Sequence, residues 1–320
     1  NIKKDKTFTG VLFALSFLVP VVRVSLPHAN IYGGIRQIME YIPFMTIVAG
    51  IGAGKIIGLI KQKSLKKIFA GIVLAGFLLL AYRIYKIHPN ENVFFNELID
   101  GLKGAKVLNI NSWGNSFGAA YRQGIKWINA NAEDGSKLVF TYELMPNIPL
   151  IWVRPDISFS NTNRSGFLRK GEYAITLTYQ GTSERSYYDS YLEKLFNPVY
   201  ESIVDGVSIV KVWKNDIKYA KSGYRNQGLI NNISWGVKGK GIAVDLQKNY
   251  KLSHLEIKYK ETNCEILSGG VVAVSEDGTN WHEMKDRLPM DEIPSLGLQP
   301  SKGRLYYPFI GNQARYIKID

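Results

Sequence analysis

Three apolar runs, Thr7 to Val22, Tyr41 to Ile60 and Ile68 to Tyr82, constrain this chain more than any other feature of it. A helix needs roughly 20 residues to cross the hydrocarbon of a bilayer, and a shorter run reaches that length when Lys or Arg at its ends extends to the headgroups. The middle run has the length; the outer two draw on Arg23, and on Lys67 and Arg83. None shows the polar face of a helix on a water-soluble domain, so three buried core helices are the poorer reading. Lys3, Lys4 and Lys6 precede the first run, and Lys61, Lys63, Lys66 and Lys67 fill the turn between the second and third. By the positive-inside tendency both clusters are cytoplasmic. Residues 23–40 are then expected outside, together with everything after about Lys86. A cleaved signal peptide is the rival for the first run, but Val19-Pro20-Val21-Val22-Arg23 lacks the small-residue cleavage pattern.

The stretch IVAGIGAGKIIGLIKQKSLKK, residues 47–67, invites a phosphate-loop reading that its spacing refuses. A nucleotide loop of the G-x-x-x-x-G-K-[ST] type needs Gly where Ala49 stands and a hydroxyl where Ile56 stands. A dinucleotide fingerprint counted from Gly50 and Gly52 would put its third glycine at Lys55. Small residues at this spacing are expected instead to let membrane helices approach closely, with Lys55 reaching the cytoplasmic headgroups.

At 320 residues the chain has room for two or three units. Lys+Arg 40 against Asp+Glu 27 gives +13, which in a water-soluble chain would point to nucleic acid or an anionic surface. Here the excess includes the cytoplasmic flanks, and no basic-aromatic patch in the polar remainder resembles a nucleic-acid motif, so no nucleic-acid partner is expected. A single cysteine, Cys264, excludes an intrachain disulfide framework and a CxxC metal site. The chain starts at Asn rather than Met, which is read as a fragment or a processed product.

Between the first two runs lies RVSLPHANIYGGIRQIMEYIPF. Its Arg23, His28, Tyr32 and Arg36 are candidates for holding a lipid-linked phosphate, because a guanidinium near a helix N-terminus suits phosphate oxygens. Arg36 and Glu40, four apart, can pair on one helical face. An interfacial anchor of Tyr and Arg is the plain alternative.

After Lys86 the chain turns polar. GNSFGAAYRQGIKWINANA has Phe117, Ala120, Ile125 and Ile128 at helical spacing, with Asn115 or Ser116 to cap it. SKLVFTYEL and EYAITLTYQ read as strands, YYDSYLEKLF as a short helix, and VYESIVDGVSIVKVWK as a hairpin turning on Asp205-Gly206. This is an α/β pattern over residues 87–216. From about Ile217 to 320 the alternation has period two, as in an all-β sandwich. No Ser-His-Asp grouping, metal-ligand cluster or close carboxylate pair appears in the middle region, so no catalytic residue and no metal ligand is assigned in this chain.

HANIYGGIRQIMEYIPFMTIVAGIGA, HPNENVFFNELIDGLKGA, SWGNSFGAAYRQGIKWIN and PVYESIVDGVSIVKVWK resemble the C-terminal part of bacterial membrane glycosyltransferases of the dolichyl-phosphate-mannose protein mannosyltransferase superfamily, over roughly residues 8–214. The resemblance implies a multi-spanning GT-C architecture and transfer of a sugar from a polyprenyl-phosphate donor on the outer face to a protein or glycan acceptor. It also implies a general base in a first outer loop; no stretch here matches that loop, so the base is expected in a missing N-terminal part. His88 and Asn90 fall where the chain leaves the membrane and are candidates for the acceptor entrance; a turn role is the alternative for His88 because Pro89 restricts it. No cofactor is called for, and a divalent metal remains compatible.

WGVKGKGIAVDLQKNYKLSHLEIKY, AVSEDGTNWHEM and ARYIKID resemble the discoidin or galactose-binding-like jelly roll of coagulation-factor C domains, over roughly residues 222–320. Such modules bind sugars or surfaces through loops, which singles out Tyr224, Trp235, Arg304 and Tyr306 as carbohydrate-binding candidates. Packing against the sandwich is the stronger reading for Trp235 and Trp281, and a hairpin turn the stronger reading for Asp277-Gly278 than a calcium ligand. The expected organisation is three transmembrane helices over 1–86, an extracytoplasmic α/β domain and a jelly-roll sandwich, in a multi-pass protein of the cell membrane. Its expected function is that of the C-terminal portion of a membrane glycosyltransferase. The rival is a non-catalytic, membrane-anchored glycan-binding protein.

Overall fold

The computed structural model describes residues 2–26, 39–110, 113–114, 119–141, 150–177, 186–225, 228, 230, 233–238, 241–258, 271–284, 293–299, 303–309 and 312–319. The chain divides into two compact units, Asn1–Lys86 and Ile87–Asp320.

The first unit is built from α1 (Ile2–Ser25), α2 (Tyr41–Leu59) and most of α3 (Lys63–Ile87). Each holds a stretch long and apolar enough to cross a membrane: Phe8–Ser25, Tyr41–Leu59 and Lys63–Ile87. Side chains such as Leu15, Val22, Ile51, Leu74 and Phe77 are exposed, a surface that lipid rather than water would cover. The lysines expected in a turn lie differently. Lys63, Lys66 and Lys67 stand inside α3, whose start precedes its apolar run, because Lys is a good helix former and neither Gly nor Pro interrupts residues 61–67. The glycines expected to draw helices together do not do so: a methyl group added at Gly50, Gly52 or Gly54 would meet nothing within 4 Å. α1 and α2 meet through rings instead, Phe13 with Phe44 at 6.0 Å and Phe17 with Tyr41 at 6.1 Å.

The second unit opens with α4 (Gly101–Val107) and α5 (Ala119–Asn131), then β1 (Lys137–Phe140), β2 (Ser158–Phe159), β3 (Tyr173–Leu177), α6 (Tyr187–Leu195), β4 (Tyr200–Val204) and β5 (Val207–Lys214). The strands form one mixed sheet in the order β2-β1-β3-β5-β4. β2 and β3 run parallel to β1, while β5 is antiparallel to both β3 and β4. Period-two alternation splits its two faces. Leu138, Phe140, Ile175 and Val212 pack under Tyr121, Ile125 and Ile128 of α5, whereas Val139, Ala174 and Trp213 pack under Tyr188, Tyr191 and Leu192 of α6. Ser186 caps α6 by accepting from the Asp189 amide at 3.2 Å. The β4–β5 hairpin turns where expected, with positive φ at both Asp205 (50°) and Gly206 (75°). The Asp205 carboxylate reaches the Leu102 amide at 2.9 Å and so serves the start of α4.

The remaining strands are antiparallel: β6 (Ser234–Lys238), β7 (Gly241–Lys251), β8 (His254–Lys258), β9 (Val272–Ser275), β10 (His282–Met284), β11 (Arg304–Pro308) and β12 (Gln313–Ile319). Five form a sheet in the order β10-β9-β12-β7-β6, and β11 pairs with β8. Leu246, Val272, Val274 and Ile317 of the larger sheet share a core with Leu305 and Tyr307 of the smaller. Between β9 and β10, Asp277 accepts from the amides of Thr279 and Asn280, each at 2.8 Å, and from Asn280 Nδ2 at 2.7 Å. These bonds are those of a turn, and they hold its carboxyl far below the ordinary range. Trp281 follows, 40% exposed.

The α/β and β-rich halves share a core. Residues 217–224, read from sequence as the start of the sandwich, pack against α6: Ala220 is buried there and the Lys221 amide donates to the Leu195 carbonyl at 2.8 Å. From the other side Ile293, Leu296 and Tyr306 enter the same cluster. Two turns meet backbone to backbone. At Gly166 (φ 48°) an added Cβ would lie 2.0 Å from the Leu296 carbonyl carbon, and at Gly297 (φ 71°) it would lie 2.1 Å from the Ser165 oxygen.

Gly166→Ala or Gly297→Ala therefore forces main chain apart as well as straining φ, and each is expected to cost at least about 1–3 kcal/mol. Gly171→Ala has a similar φ of 87° but open space around the added methyl, so it should cost only about 1–2 kcal/mol. Thermal unfolding of the three variants checks this; equal losses would show that the contact adds nothing to backbone strain.

Candidate functional site

α5 has two different faces. Ala120, Tyr121, Gly124, Ile125 and Ile128 are buried against the sheet, which leaves Arg122, Lys126 and Asn129 facing away at helical spacing, with Gln123 half-buried at the edge. Its C-terminal carbonyls are claimed by Arg154, whose Nη1 donates to the Asn129 carbonyl (2.8 Å) and whose Nη2 donates to those of Ala132 and Glu133 (both 3.1 Å). A cation on these groups offsets both their unsatisfied acceptors and the negative end of the helix dipole. Asp156 fixes the guanidinium from behind through two bonds, 2.5 Å from Nε and 2.9 Å from Nη2. That pairing holds the Asp156 carboxyl at about 2. Glu133, just past the helix, accepts from Lys214 Nζ and from the Tyr173 hydroxyl, and the lysine bond holds its carboxyl at about 2.

The same segment delivers an aromatic ring. Asn129 donates to the Trp152 carbonyl at 2.6 Å and accepts from the Arg154 amide at 3.0 Å, which fixes the turn Leu150–Trp152 beside α5. The Arg122 guanidinium lies over the indole, 4.6 Å from its centre. Trp152 remains 43% exposed.

A cleft of about 720 Å³ lies here, lined by His88, Pro89, Ala119, Arg122, Gln123, Ile125, Lys126, Asn129 and Trp152. Gln123 is locked beneath it: its Nε2 donates to Asn90 Oδ1 at 2.5 Å and its Oε1 accepts from Ser202 at 2.7 Å. Asn90 is buried and supports the wall from behind. His88 Nδ1 is 2.6 Å from Glu91 Oε1, and this contact pulls the Glu91 carboxyl below its ordinary value.

Of the residues read from sequence, His88 and Asn90 come together at this cleft, one as lining and one as support. His28, Tyr32 and Arg36 lie outside the described residues. Arg23 is exposed and 3.9 Å from Glu40. The four carbohydrate candidates do not converge. Tyr306 is only 3% exposed and its hydroxyl donates to the Gln299 carbonyl at 3.2 Å; Arg304 pairs with Glu256 at 2.8 Å. Tyr224 packs at the edge of the α6 core, and its carbonyl accepts from Arg169 at 2.9 Å. Trp235 stands 67% exposed on β6, on the other sheet from Tyr306, and is not packed against the sandwich as the plain reading had it. Sequence reading missed Arg122, Lys126 and Trp152. The 122-126-129 spacing on an amphipathic helix was a readable signal for the polar face; nothing in the sequence tied Trp152 to it. Among the described residues no group of three His, Cys, Asp or Glu is placed to hold a metal.

No family model and no curated protein matches the chain. Solved structures similar to part of it include CpGH89CBM32-6 from Clostridium perfringens, at 18% identity over 29% of this chain and 67% of that one, with a TM-score of 0.19. CpGH89CBM32-5 from the same organism, solved in complex with GalNAc-beta-1,3-galactose, has 18% identity over 32% and 70%, with a TM-score of 0.20. The C-terminal domain of a chitobiase from Bacteroides fragilis has 21% identity over 31% and 66%, with a TM-score of 0.19. Likenesses of this size decide nothing about what this chain binds.

Both carboxyls that secure the end of α5 are depressed in the folded state. Their stabilisation is complete above the unfolded values, 4.5 for Glu133 and 3.8 for Asp156, and is lost as pH falls towards about 2. The unfolding temperature should therefore fall between pH 4.5 and 2, and Glu133→Gln should flatten part of that slope while lowering stability at pH 7. An unchanged slope in the variant would mean that the Lys214 contact does not anchor the helix.

Proposed function

We propose that this chain is the C-terminal portion of an integral-membrane glycosyltransferase that uses a polyprenyl-phosphate-linked sugar on the outer face of the cell membrane. In this reading residues after about 86 are extracytoplasmic, and the β-rich part is a galactose-binding-like jelly roll that holds glycan near the enzyme. The observation that carries the reading is the order along the chain. Three helices able to cross a membrane are followed directly by a unit whose second residue, His88, lines a cleft of about 720 Å³. The cleft is then the acceptor entrance, with His88 and Trp152 on its walls.

Transfer would proceed by attack of an acceptor hydroxyl on the anomeric carbon. The bond from that carbon to the phosphate oxygen breaks, and the lipid phosphate leaves with the electron pair. Arg36 would offset the charge that develops there, and the acceptor proton would pass to a base in a more N-terminal part of the enzyme. Discoidin-like modules are sugar readers, and the related reading is a membrane-anchored glycan-binding protein without catalysis. One observation favours it: the cleft lining contains no carboxylate among the described residues. An upstream coding sequence with further apolar segments and an acidic outer loop decides for the enzyme.

In membranes containing the native-length protein, sugar should pass from the polyprenyl-phosphate donor to acceptor. Arg36→Ala should weaken donor binding about tenfold or more, as for one lost charge-assisted hydrogen bond. Unchanged donor affinity and turnover would remove Arg36 from the site. Absence of any transfer would leave the binding protein as the reading.

A further inference from the structure

We infer that the cleft on α5 selects an anionic saccharide, one whose rings carry carboxylate or phosphate groups; this rests on the reading that the cleft receives the acceptor glycan. The argument starts with which lining groups are already used. Gln123 spends its amide on Asn90 and Ser202, and Asn129 spends its own on Trp152 and Arg154. These two shape the cleft and have little left to offer a ligand. The groups that remain are Arg122, Lys126, the second ring nitrogen of His88 and the exposed part of the Trp152 indole.

Their charge is one-sided. Arg122 and Lys126 are four residues apart on one exposed helical face, where two cations repel unless an anion sits between them. Among the described residues neither has a carboxylate within ion-pair distance. Several cations elsewhere in the same unit do: Arg154 has Asp156, Lys211 has Glu193, Lys214 has Glu133 and Arg315 has Asp245. None of the nine described lining residues is acidic, and the acid beside His88, Glu91, is engaged by that histidine. Among the described residues these two cations thus face the cleft with no acidic partner, and a ligand bearing negative charge is what would complete them.

The aromatic wall narrows the ligand class. Trp152 is held by its backbone to Asn129 and covered by Arg122, so a ring stacked on the indole would lie beside a guanidinium able to donate two parallel hydrogen bonds to a carboxylate or phosphate. A saccharide supplies both the ring and the anion. A volume of about 720 Å³ is of ligand size.

The test uses the full chain in micelles of a detergent without a sugar headgroup, titrated with oligogalacturonate, with the same oligosaccharide reduced to its neutral form, with inorganic phosphate, and with vesicles of anionic phospholipid. The acidic oligosaccharide should bind at least about tenfold more tightly than the neutral one. It should lose that advantage at high salt and in the Arg122→Glu/Lys126→Glu double variant, whose side chains are exposed and whose fold circular dichroism verifies. Trp152→Ala should weaken both oligosaccharides. Equal affinity for acidic and neutral forms, or indifference to the charge reversal, overturns the anionic selectivity and leaves a glycan-binding cleft if Trp152→Ala still abolishes binding. Phosphate or vesicles binding as tightly as the acidic oligosaccharide, with Trp152→Ala without effect, overturns it in favour of a phosphate or headgroup site. Binding of neither oligosaccharide removes both the selectivity and the acceptor role of this cleft, while donor-dependent transfer can still be measured separately.

Discussion

The arrangement of the second unit depends on a buried carboxylate. Glu172 is 1% exposed, and its oxygens accept from the Ser165 amide (2.8 Å), the Ser165 hydroxyl (2.6 Å), the Tyr188 hydroxyl (2.9 Å) and Asn215 Nδ2 (2.8 Å). A buried group of this kind is tolerated only when its acceptors are filled. Filling them fixes the turn at residues 165–172, presents Gly166 to Leu296, and ties α6 and the end of β5 to the same point. Phe167, from that turn, stacks on His254 of β8 with ring centres 4.6 Å apart, and burial there pushes the imidazole below its ordinary value. The β-rich half is thus joined to the α/β half by backbone contact, aromatic packing and a shared core, rather than by a linker alone.

That seam also determines which face of the sheet is left for function. With α6 and the turn Pro294–Leu296 closing one side, the other is closed by α5, whose outward face is then free to carry the cleft. The cleft is made from leftovers of this packing. Gln123 in its wall is held from behind by Asn90 and Ser202, and its ring, Trp152, is delivered by the segment that carries the Arg154 cap of the helix. A change at Arg154 would act on Trp152 through Asn129.

Local pattern made much of the fold legible. The hairpin on Asp205-Gly206, the two amphipathic helices, the apolar helices and the period-two strands all follow from spacing over ten or twenty residues. What joins parts far apart in the chain was not legible. Gly166 and Gly297 are ordinary loop glycines until each is seen against the other's turn. Tyr306 alternates correctly with Leu305 and Tyr307, so sequence places it on the outer face of β11. Only the neighbouring half, which covers that face, turns a plausible sugar platform into a core residue. The opposite happened at Trp235, whose alternation suggests packing while its place on β6 at the edge of its sheet leaves it open.

The basic excess of +13 has the same lesson in electrostatic form. A net charge cannot say which cations are structural, because that depends on where the acids lie in space. Arg154, Lys214 and Arg315 are anchored by Asp156, Glu133 and Asp245, and the last two of these pairs join segments far apart in the chain. Among the described residues Arg122 and Lys126 have no acidic partner. They share an exposed helical face with the end of a half-open indole, in a cleft whose polar amides are already committed. Partnered cations such as these hold the frame, while the pair at the cleft, with no acidic partner among the described residues, has its charge left to be answered from outside.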